Sequence, residues 1–116
     1  MITFTVPGNP IPKQSFRYAK GGGYQPQRVK DWQDLVAQYA AIAMMGQDLY
    51  QWEVEVSIEF RRENQRKVDL DNLSKSVLDS CNGIVWNDDK QVMKLHLEKK
   101  YDKHNPGIEV EVHEIR

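Results

Sequence analysis

Two short acidic segments contain the residues best suited to chemistry. The first holds Asp69, Asp71 and Lys75, and the second is the pair Asp88 and Asp89. Asp69 and Asp71 stand two residues apart, so both carboxylates can point the same way where the chain enters a helix. Carboxylate oxygens without a histidine or cysteine at ligand spacing suit hard cations such as Mg²⁺ and Mn²⁺. The pattern therefore predicts a metal site built from Asp69, Asp71, Asp88 and Asp89.

A divalent cation at such a site suits phosphodiester hydrolysis. It polarises the phosphoryl oxygen and lowers the pKa of the attacking water. Lys75 lies four residues after Asp71 on the same helix face, where it can offset charge in the transition state without competing for the metal. Asp79 follows one turn later, and we expect it to be a partner of Lys75, in a catalytic or a structural role.

Each of these acids also has a structural explanation. Asp71 stands at the expected N-cap of a helix, Asp69 can complement the helix dipole, and Asp88 and Asp89 can be turn residues. The acids occur together and directly follow a basic segment, which counts against the structural explanations taken jointly, and the residues alone leave both interpretations open.

The basic residues are concentrated in two segments, although the net charge is only -1. The first segment, residues 1–30, contains no acid. The second segment, residues 61–67, contains Glu63 as its only acid. Segregated positive charge can hold the phosphates of a polyanion, whereas a charge run can also be simply a solvated surface. Phe16, Tyr18 and Tyr24 can stack on exposed bases or pack against the protein. The predicted DNA-binding residues are Lys13, Arg17, Lys20, Arg28, Arg61, Arg62, Arg66 and Lys67.

Hydrophobic periodicity predicts the elements that must position these residues. Alternation predicts strands, and steps of three and four residues predict helices. The strands are expected at 2–6, 52–60, 93–97 and 108–112, the helices at 27–45 and 71–82, and a hairpin or loop at 17–24. The half-polar strands favour an α+β (α/β) fold, a mixed or antiparallel sheet of about four strands with two helices on one side.

Length and composition restrict the class of protein. The 116 residues suggest one domain over residues 1–116, and no apolar run is long enough for a transmembrane helix. The N-terminus lacks the pattern of a signal peptide, and Cys81 alone cannot form an internal disulfide. We therefore expect a cytoplasmic protein with no membrane partner. An open sheet face or edge makes a homodimer plausible.

The acidic segments resemble the RusA family of Holliday junction resolvases. The family pattern is D-x-D-N-x-x-K, an aspartate four residues later, and then D-D-x-Q-V. It stands here as Asp69, Asp71, Asn72, Lys75, Asp79, Asp88, Asp89, Gln91 and Val92. The basic run, the proline-containing N-terminal segment and the element order extend the resemblance over nearly the whole chain.

This resemblance implies a homodimeric, Mg²⁺-dependent endonuclease, with Mn²⁺ as a substitute. Its substrate is a four-way DNA junction, resolved by symmetric paired nicks in recombination and repair. By position in the motif, Asp69, Asp71 and Asp89 correspond to the catalytic, metal-binding acids, with Asp88 beside them and Lys75 as the functional lysine. Asn72 either orients these groups or supports the start of the helix.

Three other functions remain as alternatives. A nuclease for branched or flap DNA in general shares the chemistry. A non-catalytic module of prophage origin that binds junctions or branched DNA would have no reason to keep the complete set of acids. A small-molecule phosphohydrolase shares the metal chemistry but leaves the basic segments without a role.

Overall fold

The centre of the protein is a four-stranded sheet with two helices on one face. A computed structural model describes residues 1–13, 17–19 and 22–115. In chain order the elements are β1 (Ile2–Pro7), β2 (Arg17–Ala19), β3 (Gly22–Tyr24), α1 (Gln27–Ala43), β4 (Val54–Arg62), α2 (Leu70–Cys81), a 3₁₀ turn (Asp89–Gln91), β5 (Val92–Tyr101) and β6 (Gly107–Glu114).

The sheet is mixed, with the strand order β1-β6-β4-β5. β6 runs antiparallel to both β1 and β4, whereas β4 and β5 are parallel. A parallel pair needs a crossover connection, and α2 supplies it between β4 and β5. β2 and β3 pair as a separate two-stranded antiparallel sheet. The predicted α+β fold is confirmed, and β2 and β3 pair as the hairpin alternative predicts, with residues 20 and 21 outside the described residues.

Alternate strand residues form the core together with one face of each helix. Buried residues of β1, β4 and β6 pack in one cluster with buried residues of α1 and α2. Trp86 is the largest of the fully buried side chains. Cys81 is buried at the end of α2, and this burial raises the pKa of its thiol to about 12. Cys81 is therefore a residue of the core.

The opposite face of the sheet is uncovered and polar. His96 Nε2 lies 2.6 Å from Glu55 Oε2, and Lys100 Nζ lies 3.3 Å from Glu59 Oε2. Arg61 also belongs to this face. Threonines and glutamates occupy the outward positions of β1 and β6. Such cross-strand pairs hold charged side chains on the surface at modest energetic cost.

Several predicted element boundaries differ from the structure, and the starts of α2 and β4 bear on the site. α2 begins at Leu70, so Asp69 rather than Asp71 occupies the N-cap position, and no side chain caps the helix there. β4 begins at Val54, and Trp52 is 54% exposed. The reason is that β5 starts at Val92 opposite Val54, so parallel pairing cannot begin earlier.

β5 departs from the expected burial pattern. Met93 and Leu95 alternate with polar residues, yet they are 58% and 38% exposed. β5 is one of the two edge strands, next to β4 alone, and no strand in the described ranges covers its outer side. No helix in the described ranges is long and apolar enough to cross a bilayer.

Candidate active site

The first acidic segment lies at the start of α2. Asp71 Oδ2 lies 3.2 Å from Lys75 Nζ, and the Asp71 side chain is 75% exposed. Asp69 is also exposed, and its Oδ2 accepts a hydrogen bond from Asn72 Nδ2 at 3.3 Å. This end of α2 therefore presents two carboxylates and an ammonium group to solvent, as the i, i+4 spacing of Asp71 and Lys75 predicts.

Gln91 fixes the second acidic segment. Its Oε1 accepts hydrogen bonds from the backbone N–H groups of Asn87 at 2.9 Å and Asp88 at 3.2 Å. Its Nε2 donates to the carbonyls of Tyr50 at 2.7 Å and Trp52 at 3.0 Å. One side chain thus ties the acidic turn to the segment before β4. The sequence shows Gln91 only as part of a pattern, and its positioning role comes from these contacts.

Trp86 holds the same turn from the side of the hydrophobic core. Its side chain is fully buried, and its Nε1 donates a hydrogen bond to Asn82 Oδ1 at 2.7 Å. The Asp88 carboxylate caps the short 3₁₀ turn by accepting from the backbone N–H of Lys90 at 2.8 Å. Trp86 is therefore a core residue that supports the acidic turn.

Asp89 sits among other acids at the C-terminal half of α2. Partial burial raises the pKa of its carboxyl group, and the nearby charges of Asp88 and Asp79 raise it further, while Lys13 lowers it. Lys13 forms an ion pair with Asp79, and its backbone N–H donates to the Asn72 carbonyl at 2.9 Å. The expectation that Asp79 is the partner of Lys75 is wrong, because Lys13 lies beside α2 and pairs with Asp79 instead.

The charges that act on Asp89 place it near Asp79, about two turns of α2 from Asp71. Asp71 and Asp79 are separated by eight residues of helix, which is about 12 Å of rise. Within residues 1–13, 17–19 and 22–115, no three Asp, Glu, His or Cys side chains are close enough together to hold a metal ion. The ligand chemistry nevertheless fits a hard cation, because all four predicted ligands are carboxylates and because Asp88 and Asp89 repel one another.

The predicted DNA-binding residues lie in different environments. Arg28, Arg66 and Lys67 are exposed. Arg17 belongs to β2, and Lys20 lies outside the described residues. Lys13 forms an ion pair with Asp79. Exposed cations near the entry to α2 therefore come mainly from the segment between β4 and α2.

Arg61 and Arg62 are neighbours in sequence but point to opposite faces of β4. The Arg61 guanidinium lies 3.3 Å from Glu59 and 3.2 Å from Glu109, and its Nε donates to the Asn105 carbonyl at 2.9 Å. All of these contacts lie on or beside the uncovered face. The contacts of Arg61 explain it as a structural residue and give no support to a role in holding DNA.

Comparison with known proteins agrees with the fold and the acidic segments. The family model described as Endodeoxyribonuclease RusA matches residues 7–113. The chain is also 32% identical over 108 residues to the crossover junction endodeoxyribonuclease RusA of Aquifex aeolicus (strain VF5), covering 89% of this chain and 83% of that relative. The class of protein is an endodeoxyribonuclease. The chain belongs to the RusA family, which confirms the resemblance carried by the acidic pattern.

Proposed function

We propose that this chain resolves four-way DNA junctions by symmetric paired nicks, as a Mg²⁺-dependent homodimer of one domain spanning residues 1–116. The observation that carries the proposal is that α2 and the turn before β5 present the acids of the family pattern. The Aquifex relative is named for crossover junctions, which supports the choice of substrate. Recombination and repair in the cytoplasm are the corresponding process and location.

The residues divide into three roles in this proposal. Asp69, Asp71, Asp88 and Asp89 would hold Mg²⁺, or Mn²⁺ in its place, and the bound ion would supply Lewis acidity and an activated water. Lys75 would offset negative charge on the phosphoryl group beside Asp71. Gln91 would hold the acidic turn against the segment before β4. Exposed basic residues would position the backbone phosphates, which carry no sequence information.

A cleavage assay tests this proposal directly. A synthetic mobile four-way junction is incubated with the protein, with and without Mg²⁺ or Mn²⁺, beside a linear duplex of the same sequence. We expect paired nicks in the junction only when a divalent metal is present. Junction binding without cleavage under any metal condition would instead support the non-catalytic module, and equal cutting of the duplex would exclude a resolvase.

The edge of the sheet supports the homodimer. β5 is ten residues long and has no strand on its outer side in the described part of the chain. Met93 and Leu95 are exposed on this strand. An unpaired edge with exposed apolar side chains favours association with another chain. Symmetric nicking of two strands also needs two active sites related by a two-fold axis.

We therefore predict a dimeric mass in solution at micromolar concentration. Leu95→Lys should shift the mass to that of a monomer, because it places a charge on the exposed edge of β5. Ile42→Lys is the matched control, since Ile42 is 64% exposed at the end of α1, away from the sheet edge. Analytical ultracentrifugation measures both variants. A wild-type monomer, with or without junction DNA, would contradict the prediction.

A further inference from the structure

Arg62 is a buried cation without a partner. The residue is only 9% exposed, and its Nε and Nη1 are buried with no hydrogen-bond acceptor among the described residues. Arginine stays protonated in proteins. A buried polar group normally has a hydrogen-bond partner, and an exception points to a missing ion, water or ligand. Arg61 is buried to a similar extent on the same strand, and its guanidinium pairs with Glu59 and Glu109. The strand can therefore hold a buried arginine whose charge is paired within the protein.

No Asp or Glu in the described ranges forms an ion pair with Arg62. Residues 14–24, which include most of the positions outside the described ranges, contain no Asp or Glu. The C-terminus follows β6, whose last residues pair with the opposite end of β4 near Val54. Glu63 is exposed and, in the described structure, makes no ion pair with Arg62. Among the described residues no acceptor meets Arg62 Nε or Nη1, so an anion from outside the chain can serve as the partner.

The surroundings of Arg62 are positive and lie beside the entry to α2. Tyr101 is its register partner on β5, and Lys99 stands two residues earlier on the same face. Lys99 Nζ donates to the carbonyl of Val68 at 2.8 Å, and Val68 directly precedes Asp69. Arg66 lies close enough to lower the pKa of Arg62, although burial is the larger cause and Glu63 opposes both. An anion bound here would meet two further cations.

We infer that Arg62 binds a phosphate oxygen of the DNA strand next to Asp69, with Lys99 as the second cation of this phosphate site. The guanidinium group suits phosphate because it offers several fixed donors and is weakly hydrated. The identity of the anion as a DNA phosphate rests on the proposed function. The existence of an anion site rests on the unpaired guanidinium of Arg62. The sequence alone treats Arg61 and Arg62 alike and does not single out Lys99.

A pair of matched variants tests the inference. Arg62→Met keeps the apolar stem and removes the unpaired charge, whereas Arg61→Met removes a paired one. Binding to a synthetic four-way junction without divalent metal is measured over a range of salt, and Tm is measured for each variant. Arg62→Met should weaken binding about tenfold and reduce the slope of log affinity against log salt by about 0.9. Its Tm should not fall, because an unpaired buried charge destabilises the fold.

Arg61→Met should behave in the opposite way. Its Tm should fall, since Glu59 and Glu109 lose their partner, and its salt slope should stay that of the wild type. A wild-type salt slope for Arg62→Met, or a fall in its Tm as large as that of Arg61→Met, would overturn the inference.

A second ligand separates this inference from the proposed function. Inorganic phosphate should raise the Tm of the wild type but not that of Arg62→Met. If phosphate does so while the wild type fails to cleave junctions, the anion site stands and the proposed function fails. If the wild type cleaves junctions and Arg62→Met binds and responds to phosphate as the wild type does, the proposed function stands and the inference fails.

Discussion

Asp71→Asn is expected to cleave four-way junctions more slowly than the wild type by about 10²-fold or more, given what metal activation of water contributes. The variant should fold normally. Asp71 is 75% exposed and lies in the first turn of α2 rather than at the cap, so losing its charge costs about 0.3–1 kcal/mol of helix-dipole stabilisation at most. Junction binding should be retained or slightly tighter, since one negative charge facing phosphate is removed.

The measurement is the single-turnover cleavage rate at saturating enzyme, together with Tm and junction affinity. Asp69→Asn and Asp89→Asn should lose cleavage in the same way, because they belong to the same proposed ligand set. Asp34→Asn is the matched control, since Asp34 is an exposed aspartate on α1 outside the acidic segments. Wild-type cleavage by Asp71→Asn would show that the metal site is wrongly assigned.

Trp86→Ala is expected to have the largest effect on stability. Trp86 is fully buried and packs in the core cluster that joins α2 to the sheet. Truncating a buried aromatic side chain to alanine typically costs about 3–5 kcal/mol of unfolding free energy. That is a large fraction of the stability of a small domain. The variant also releases the turn that carries Asp88 and Asp89, so cleavage should fall even under conditions where the protein stays folded.

Chemical denaturation of three variants checks this expectation. Trp86→Phe keeps most of the packing and loses the hydrogen bond to Asn82, so it should cost clearly less than the alanine change. Trp52→Ala is the control on an aromatic residue that is 54% exposed, and its effect should be smaller than that of Trp86→Ala. Equal losses at positions 52 and 86 would mean that burial in the core does not decide the effect.

The sequence predicts the elements well because periodicity reports burial directly. The alternation of Val54, Val56, Ile58 and Phe60 corresponds to a strand with one buried face. Periodicity does not report strand direction or edge position, which depend on connections between distant segments. Met93 and Leu95 therefore follow the same alternation as core residues and are nevertheless exposed on the edge strand.

The candidate site is predictable in residue type but not in arrangement. The spacing of Asp71 and Lys75 gives their ion pair, because i, i+4 contacts are local to one helix. The pairing of Lys13 with Asp79 joins residues 66 positions apart, and no local pattern shows it. Arg61 and Arg62 have different surroundings because they point to opposite faces of one strand. A cluster of charges in the sequence does not show this difference.

The polar face of the sheet also decides from which side DNA can approach. More glutamates than lysines and arginines stand on that face. The glutamates are Glu55, Glu59, Glu98, Glu109 and Glu111, and the basic residues are Arg61, Lys94 and Lys100. A duplex diffusing toward it meets net like charge over a Debye length of about 10 Å at 0.1 M salt. We expect this repulsion to disfavour collisions from that side and to favour encounters that bring phosphates to the helical side.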